Sequence, residues 1–411
     1  MVLLSYALRR LIRIGCLTVI DAQGRTHRFG QPGAIPAATL RIHDRALHTQ
    51  LVWKPELALG EGWMNGTWSV EDGTLEDLLT VFAVNLDTAP PLPWETLGEK
   101  VAFLFRPLRT WNTPARARRN VAHHYDLSSR LYELFLDADW QYSCAYFMDP
   151  GETLDRAQEN KKRHIAAKLR LEPGMRVLDI GSGWGGMAIY LAREFGVDVT
   201  GITLSTEQLA KANERARAAG LDDRVHFSLT DYRRIGGSFD RIVSVGMFEH
   251  VGVVNYPAFF AQVKKLLAPG GVALLHSIGR MDGPGSTNRW LAKYIFPGGY
   301  APALSEVLPA VERGGLWTTD IEILRLHYAE TLRHWRRRFE DNRAEIARLY
   351  DERFCRMWEF YLTGAEMDFR YLRTMVFQMQ IAREIDAVPI VRDYMVDGER
   401  ARKRHAAPVS G

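Results

Sequence analysis

Val177-Leu178-Asp179-Ile180 runs directly into Gly181-Ser182-Gly183-Trp184-Gly185-Gly186, and Gly185 to Phe195 then reads as a helix that Gly196 closes. A short apolar run, a glycine-dense turn and a helix make a strand–loop–helix unit. The glycines let backbone approach a ligand at the carboxyl edge of a parallel sheet. The flanking pattern repeats. Val197 to Ile202 reads as the next strand and Thr206 to Ala219 as an amphipathic helix ending at Gly220. Strands follow at Val225 to Leu229, Arg241 to Val245 and Val272 to Ser277. This alternation predicts an α/β domain, a parallel sheet with helices on both faces. A long helical, charge-rich stretch is expected from Tyr328 to Arg383, and no internal repeat is visible.

The loop spacing is G-x-G-x-G. It lacks the G-x-G-x-x-G of dinucleotide binders and the lysine of a P-loop, which disfavours a pyrophosphate cofactor and ATP. It favours S-adenosylmethionine, which needs close backbone but no phosphate cradle; the alternative is a tight βα turn with no ligand. Where dinucleotide folds carry an acid for the ribose, this chain has Gly201-Ile202-Thr203-Leu204-Ser205, with Gln208 one turn on. Hydroxyl, amide and backbone groups would hold the ribose end.

The rest of the composition bounds the setting. The chain has 411 residues, 53 basic and 49 acidic, for a net charge of +4. Its apolar and charged fractions are 46% and 25%, a globular mixture that excludes disorder as the main state. Three cysteines make neither a disulfide framework nor a zinc site and fit a reducing cytoplasm. No uncharged run approaches the roughly 18 apolar residues of a membrane span, and the first residues do not form a secretory signal.

The first hundred residues read as a small α+β unit without a catalytic constellation. Cys16 to Asp21 and Arg25 to Phe29 flank Ala22-Gln23-Gly24 as a hairpin; Trp63, Trp68 and Val70 suggest a strand region, and Leu75 to Val84 a short helix. Three prolines between Thr88 and Pro93 break regular structure. Val101 to Trp111, with Arg116, Arg118 and Arg119, mixes apolar residues and arginines as surface-lying membrane segments do. A basic linker is the alternative. Arg333, Arg336, Arg337 and Arg338 beside Trp335 and Phe339 form a second such cluster. The alternative there is a solvated helix face with Glu330, Glu340 and Asp341 as partners.

Several segments together carry a resemblance. They are His124-Tyr125-Asp126-Leu127-Ser128, Tyr142-Ser143-Cys144-Ala145-Tyr146-Phe147, Leu178 to Gly186, Gly201 to Ser205 with Gln208, Gly246 to Gly252, and Tyr294-Ile295-Phe296-Pro297-Gly298-Gly299. In this order the chain resembles the cyclopropane-fatty-acid synthase family of S-adenosylmethionine-dependent methyltransferases, which includes the mycolic acid cyclopropane synthases. The resemblance covers roughly residues 120 to 390. The first hundred residues resemble, more loosely, the N-terminal extension of the bacterial phospholipid enzymes.

The resemblance implies a Rossmann-like class I methyltransferase fold with a small α+β N-terminal domain. The expected boundaries are a lipid-binding or docking domain at 1–98, a basic-aromatic linker at 99–119, the methyltransferase domain at 120–397 and a basic tail at 398–411. The implied activity is methylene transfer to a cis double bond of an acyl chain, with loss of a proton closing a cyclopropane. Loss of a different proton, giving a methyl- or methylene-branched chain, is the alternative outcome. A small-molecule N- or O-methyltransferase is a further one on the same fold.

Residue roles carry over the same way. Tyr142 and Ser143 would cover the methionine side, Gly181 and Gly183 line the loop, Thr203, Leu204 and Gln208 hold the ribose region, and Tyr232 and Arg233 flank the adenine. A bicarbonate ion would sit among Cys144, Glu249, His276 and Tyr328, with Glu249 sharing a proton or pairing with a neighbour such as His276. Taken singly, Cys144 also reads as a buried small hydrophobe and His276 as a satisfied core histidine. Tyr125, Tyr146, Phe147, Phe296 and Tyr300 are candidates to face a carbocation, or ordinary core aromatics. No metal is expected. Partners would be unsaturated membrane phospholipid and an anionic membrane surface on the cytoplasmic side, not nucleic acid; a homodimer is compatible. Ala365 stands where several relatives carry a cysteine, which rules out a covalent cysteine mechanism at that point.

Overall fold

The computed structural model describes residues 1–87 and 128–405, and the chain divides into two compact units. Tyr125, the segment 99–119 and its arginines lie outside the described residues.

The smaller unit gathers 1–87, Ser286–Pro297 and Tyr328–Thr374. Strands β1 (Cys16–Ile20) and β2 (Thr26–Gly30) pair antiparallel as the expected hairpin, Cys16 opposite Gly30. The turn needs Gly24, at φ +80°. The Asp21 carboxylate accepts from the amides of Gln23 (2.9 Å) and Arg25 (3.0 Å). Strand β3 (Ala37–Ile42) lies parallel to β1, and β4 (Trp68–Asp72) antiparallel to β3, giving the order β2-β1-β3-β4. The expected helix runs Leu75–Leu86, opened by a capping box between Thr74 and Asp77. Trp63 is not in a strand. It sits in the helix Pro55–Asn65, which Pro55 opens and Gly66, at φ +67°, closes; its ring packs on Trp68 at 4.9 Å.

The second basic-aromatic cluster does not face outward. Trp335 and Phe339 are fully buried on the helix His327–Asp341. Arg336 donates to Glu76 (2.6 Å) and Glu366 (3.0 Å), and Arg333 pairs with Glu330. The helix spends its aromatics on the core and these two arginines on carboxylates.

The larger unit gathers 128–285, Gly298–His327 and 375–405. Its sheet contains β5 (Arg176–Ile180), β6 (Asp198–Thr203), β7 (Val225–Leu229), β8 (Phe239–Val245), β9 (Leu267–Arg280), β10 (Trp317–Ile323) and β11 (Thr374–Ala382), in the order β10-β11-β9-β8-β5-β6-β7. Strands β7, β6, β5, β8 and β9 run parallel, pair by pair, and β10 is antiparallel to β11. Val177, Leu178, Asp179 and Ile180 are all buried, as expected of a central strand covered on both faces. Helices Gly186–Phe195 and Thr206–Ala218 cover one face with Leu191, Ala188 and Ala216. Tyr256–Leu266 and Leu304–Arg313 cover the other with Phe260, Val263 and Val307.

The sheet corrects one expectation. The charge-rich stretch is helical over His327–Asp341, Arg343–Leu349 and Glu352–Tyr371, and then becomes β11. Met375 to Ala382 are buried without exception. Such a run takes its conformation from the two strands flanking it, not from its own periodicity.

Candidate active site

The glycine loop leaves β5 at the middle of the sheet's carboxyl edge. Gly181 has φ +87°, and a Cβ there would lie 2.8 Å from the Met247 side chain. Gly185, at φ +83°, would place one 2.6 Å from the Phe227 ring. The amides of Gly181 and Ser182 donate to the Ile202 carbonyl at 2.9 and 3.0 Å, so β6 holds the loop down. Above it opens a cleft between the loop, the ends of the central strands and the segment 140–143.

All nine expected cofactor positions line this cleft: Tyr142 and Ser143 on one wall, Gly181 and Gly183 on the loop, Thr203, Leu204 and Gln208 after β6, and Tyr232 and Arg233 after β7. The Thr203 hydroxyl donates to Gln208 Oε1 at 2.9 Å, and Ser205 caps the following helix by accepting from the Gln208 amide. Arg233 makes a two-pronged contact with Asp231, at 2.8 and 2.6 Å. Burial pushes the Asp231 carboxyl up, but the Arg233 hydrogen bonds win and hold it below its usual value.

Three residues that sequence reasoning passed over belong here. Asp231 lines the cleft beside Tyr232. Asp179, on the last turn of β5, also lines it; burial pushes its carboxyl to about 7, against the pull of Lys161. The third is Lys161 itself, fully buried on the helix Leu154–Leu169. Its ammonium donates to Gln141 Oε1 (2.7 Å) and Ser143 Oγ (2.8 Å), and burial drags it to about 7. Asp179 had a signal, the position just ahead of the glycines. Lys161 had none, since Asn-Lys-Lys-Arg-His reads as a solvated face.

Cys144, Glu249 and His276 lie in the larger unit, all buried. Lys161 acts electrostatically on Cys144, Asp179 and His276. The Cys144 thiol donates to the Ala145 carbonyl at 3.3 Å. Glu249, in the turn Phe248–His250, does not take its hydrogen bonds from His276 as expected. Its Oε1 accepts from the Ile278 amide at 2.7 Å and the carboxyl also engages Ser277, two neighbours of His276 on β9. Main-chain donors reach it first because the turn lies beside β9. Oε2 is buried with no protein partner, and burial lifts the carboxyl to about 7.

His276 is held by a chain of side chains. Lys168, paired with Glu322, donates to Gln378 Oε1 at 2.7 Å. A lysine only donates, so that atom is the amide oxygen and the amide nitrogen faces His276 Nδ1, at 3.2 Å. Nδ1 therefore accepts and the ring proton sits on Nε2. Burial, then Lys161 and Lys168, hold the imidazole well below its usual value, in the neutral form.

Tyr328 belongs to the smaller unit, where it packs against Phe369 (4.6 Å) and edge-on to Trp335 (5.8 Å). Of the expected cation-facing aromatics, Tyr146 stacks on His164 at 4.0 Å and His327 at 4.6 Å. Phe296 meets Tyr361 edge-on, and the Tyr300 hydroxyl donates to Glu306 at 2.6 Å. Each has a packing role. Ala365 is half-buried in the helix Glu352–Tyr371. Among the described residues no cluster of metal-ligating side chains occurs.

Comparison with known proteins places the chain in a family. The family described as mycolic acid cyclopropane synthetase matches residues 112–379. A probable fatty acid methyltransferase of Pseudomonas putida is 43% identical over 351 residues, 82% of this chain and 85% of that one. The cyclopropane-fatty-acyl-phospholipid synthase of Escherichia coli is 38% identical over 86% of this chain and 90% of its own. The solved structure of mycolic acid cyclopropane synthase CmaA1 complexed with SAH and CTAB superimposes with a TM-score of 0.62 at 33% identity, covering 64% of this chain and 98% of that one. With a glycine-loop cleft on a sheet of this order and a match of this extent, the chain belongs to the mycolic acid cyclopropane synthetase family.

Proposed function

We propose that this S-adenosylmethionine-dependent methyltransferase adds one carbon across the cis double bond of an unsaturated phospholipid acyl chain and closes it into a cyclopropane. One observation carries the reading: the nine expected cofactor positions share one cleft, and on the adjoining turn and strand the buried Glu249 carboxyl is hydrogen-bonded to the Ile278 amide, two residues past the neutral imidazole of His276. The match over nine-tenths of a phospholipid synthase favours a phospholipid substrate.

The cleft fits the cofactor. Ser182 Oγ and Asp179 Oδ2 are buried without a protein partner, and both residues line the cleft; a ligand with amine and hydroxyl donors suits them, a phosphate does not. When bound, S-adenosylmethionine supplies an electrophilic methyl carbon on sulfonium. The protein's part is alignment in a dry pocket. Gly181 and Gly183 admit the ligand close to backbone. The Thr203–Gln208 bond and the Arg233–Asp231 pair hold its far end. An alkene needs no activated nucleophile. Its π electrons form one carbon–carbon bond as carbon–sulfur breaks. The carbocation left on the neighbouring chain carbon then loses a proton from the added methyl, and the freed electron pair makes the second ring bond.

That proton needs a base. Cys144, Glu249 and His276, with Tyr328 on sequence grounds, are proposed to hold a bicarbonate-like oxyanion that would supply one. The donors fit. His276 offers Nε2–H, and near neutrality much of Glu249 is protonated and able to donate through Oε2. Contact with the membrane is peripheral in this reading, on the cytoplasmic side. Among the described residues no helix is long and apolar enough to cross a membrane.

The test is incubation with vesicles of unsaturated phospholipid and methyl-labelled cofactor. Label in a ring carbon, with the double bond gone, is expected. Label only on nitrogen or oxygen, with the unsaturated lipid untouched, defeats the proposal. A branched acyl product is the second reading, favoured by the still higher identity to a protein named as a fatty acid methyltransferase; it gains the same CH2 but keeps a carbon–carbon double bond, beside a methyl branch or as a methylene branch.

A further inference from the structure

The first helix, Val2–Leu11, has two faces. Leu4 and Leu8, with Ile12 just beyond, are buried into the smaller unit. On the other side Val2 is 86% exposed, Leu3 54% and Tyr6 49%. The same stripe continues through Arg9, exposed, at the helical spacing 2, 6, 9, and Arg13 is exposed just beyond the helix end. Arg10 lies over the Tyr6 ring at 5.8 Å. The exposed side is therefore apolar at one end and cationic at the other.

The positive charge is local to the end of this helix. Arg9, Arg10 and Arg13 stand within five positions of one another with no acidic residue before Asp21, and Asp21 is buried and engaged by His27. Further along the same unit the charges balance, since Arg41 pairs with Glu71 and residues 55–87 hold seven acidic residues. Exposed apolar side chains beside a cluster of arginines fit an interface where acyl chains lie just below phosphates.

We propose that this stripe seats the protein on an anionic phospholipid surface, with Val2, Leu3 and Tyr6 entering the boundary between headgroup and acyl chain and Arg9, Arg10 and Arg13 pairing with lipid phosphates. The proposal rests on the reading of a phospholipid substrate and names the element that finds the bilayer. All six positions lie outside the catalytic cleft.

The experiment uses the full chain in vesicle co-sedimentation, with phosphatidylcholine alone and mixed with phosphatidylglycerol. The R9Q/R10Q/R13Q variant should lose about 100-fold in partitioning to anionic vesicles, roughly fivefold per arginine, and nothing on neutral ones. The V2S/L3S/Y6S variant should lose roughly a thousandfold on both. Raising salt should erase the wild-type preference for anionic vesicles. Both variants should turn over detergent-dispersed unsaturated phospholipid at the wild-type rate, which shows they are folded. Vesicle binding unchanged in both variants overturns the seat and leaves the function reading standing. A wild type that binds vesicles but alkylates no unsaturated lipid, dispersed or not, overturns the function and leaves the seat. An altered oligomeric state in the apolar variant with unchanged vesicle binding assigns the stripe to a second copy and also overturns it.

Discussion

Glu249→Gln should change how stability depends on pH, by an amount the structure sets. The carboxyl ionises near 4.5 when solvated and near 7 in the folded protein, because burial leaves Oε2 without a partner. For an acid whose folded value is raised, the unfolded chain gives up its proton first. The site costs nothing well below pH 4.5; stability is lost as pH rises from about 4.5 to about 7 and then levels off. A tenfold change in proton affinity is about 1.4 kcal/mol, so the full loss is about 3 kcal/mol. Between pH 5 and pH 8 it is about 2.5 kcal/mol. Glutamine keeps an oxygen for the Ile278 amide and has no proton to lose. The variant should therefore gain about 2.5 kcal/mol on the wild type between those two pH values, read by urea denaturation of the ligand-free protein. Asp179 is also raised to about 7, but it is present in both proteins and cancels. A difference that stays constant between pH 5 and pH 8 would mean that Glu249 ionises like a solvated carboxyl, and the case for it as a neutral donor would fail. The same variant should lose turnover far more than cofactor affinity.

Gln378→Leu removes the amide that donates to His276 Nδ1; turnover should fall by an amount worth about 1–3 kcal/mol with cofactor affinity unchanged. Nitrogen NMR of the imidazole should show the proton no longer confined to Nε2. Arg233→Ala leaves Asp231 without its two-pronged partner, and calorimetry should show cofactor binding weakened about tenfold. Gly201→Ala drives a methyl to 2.4 Å from the Phe227 ring and 3.0 Å from Ser182; denaturation should show a loss of about 1–3 kcal/mol, and cofactor affinity should fall with it.

Sequence and structure agree where chemistry is local. The glycines of 181–186 sit where the backbone turns back, Ser205 and Gly196 end their helices as their types require, and the cofactor positions follow from the loops after β5, β6 and β7. Agreement ends where a residue's state depends on distant chain. Lys161 and Lys168 read as solvated lysines because nothing nearby announces Gln141, Ser143, Glu322 or Gln378. Met375 to Ala382 carries no alternation that separates strand from buried helix; only insertion between β9 and β10 decides it. Trp335 and Phe339 looked like a greasy patch among arginines, but four residues on is the same face of a helix, and that shared face is core. Glu249 and His276 were legible as a pair, yet their partners, the Ile278 amide and Gln378, were not.

β11 brings a consequence for how the protein comes into being. The side chain that sets the imidazole's proton arrives on residue 378, about a hundred positions after the histidine it serves. During synthesis the glycine loop and its neighbouring strands can form early, and a cofactor-shaped hollow with them. The histidine stays free to hold its hydrogen on either nitrogen until the last tenth of the polypeptide threads into the sheet. Competence to bind would thus precede competence to react.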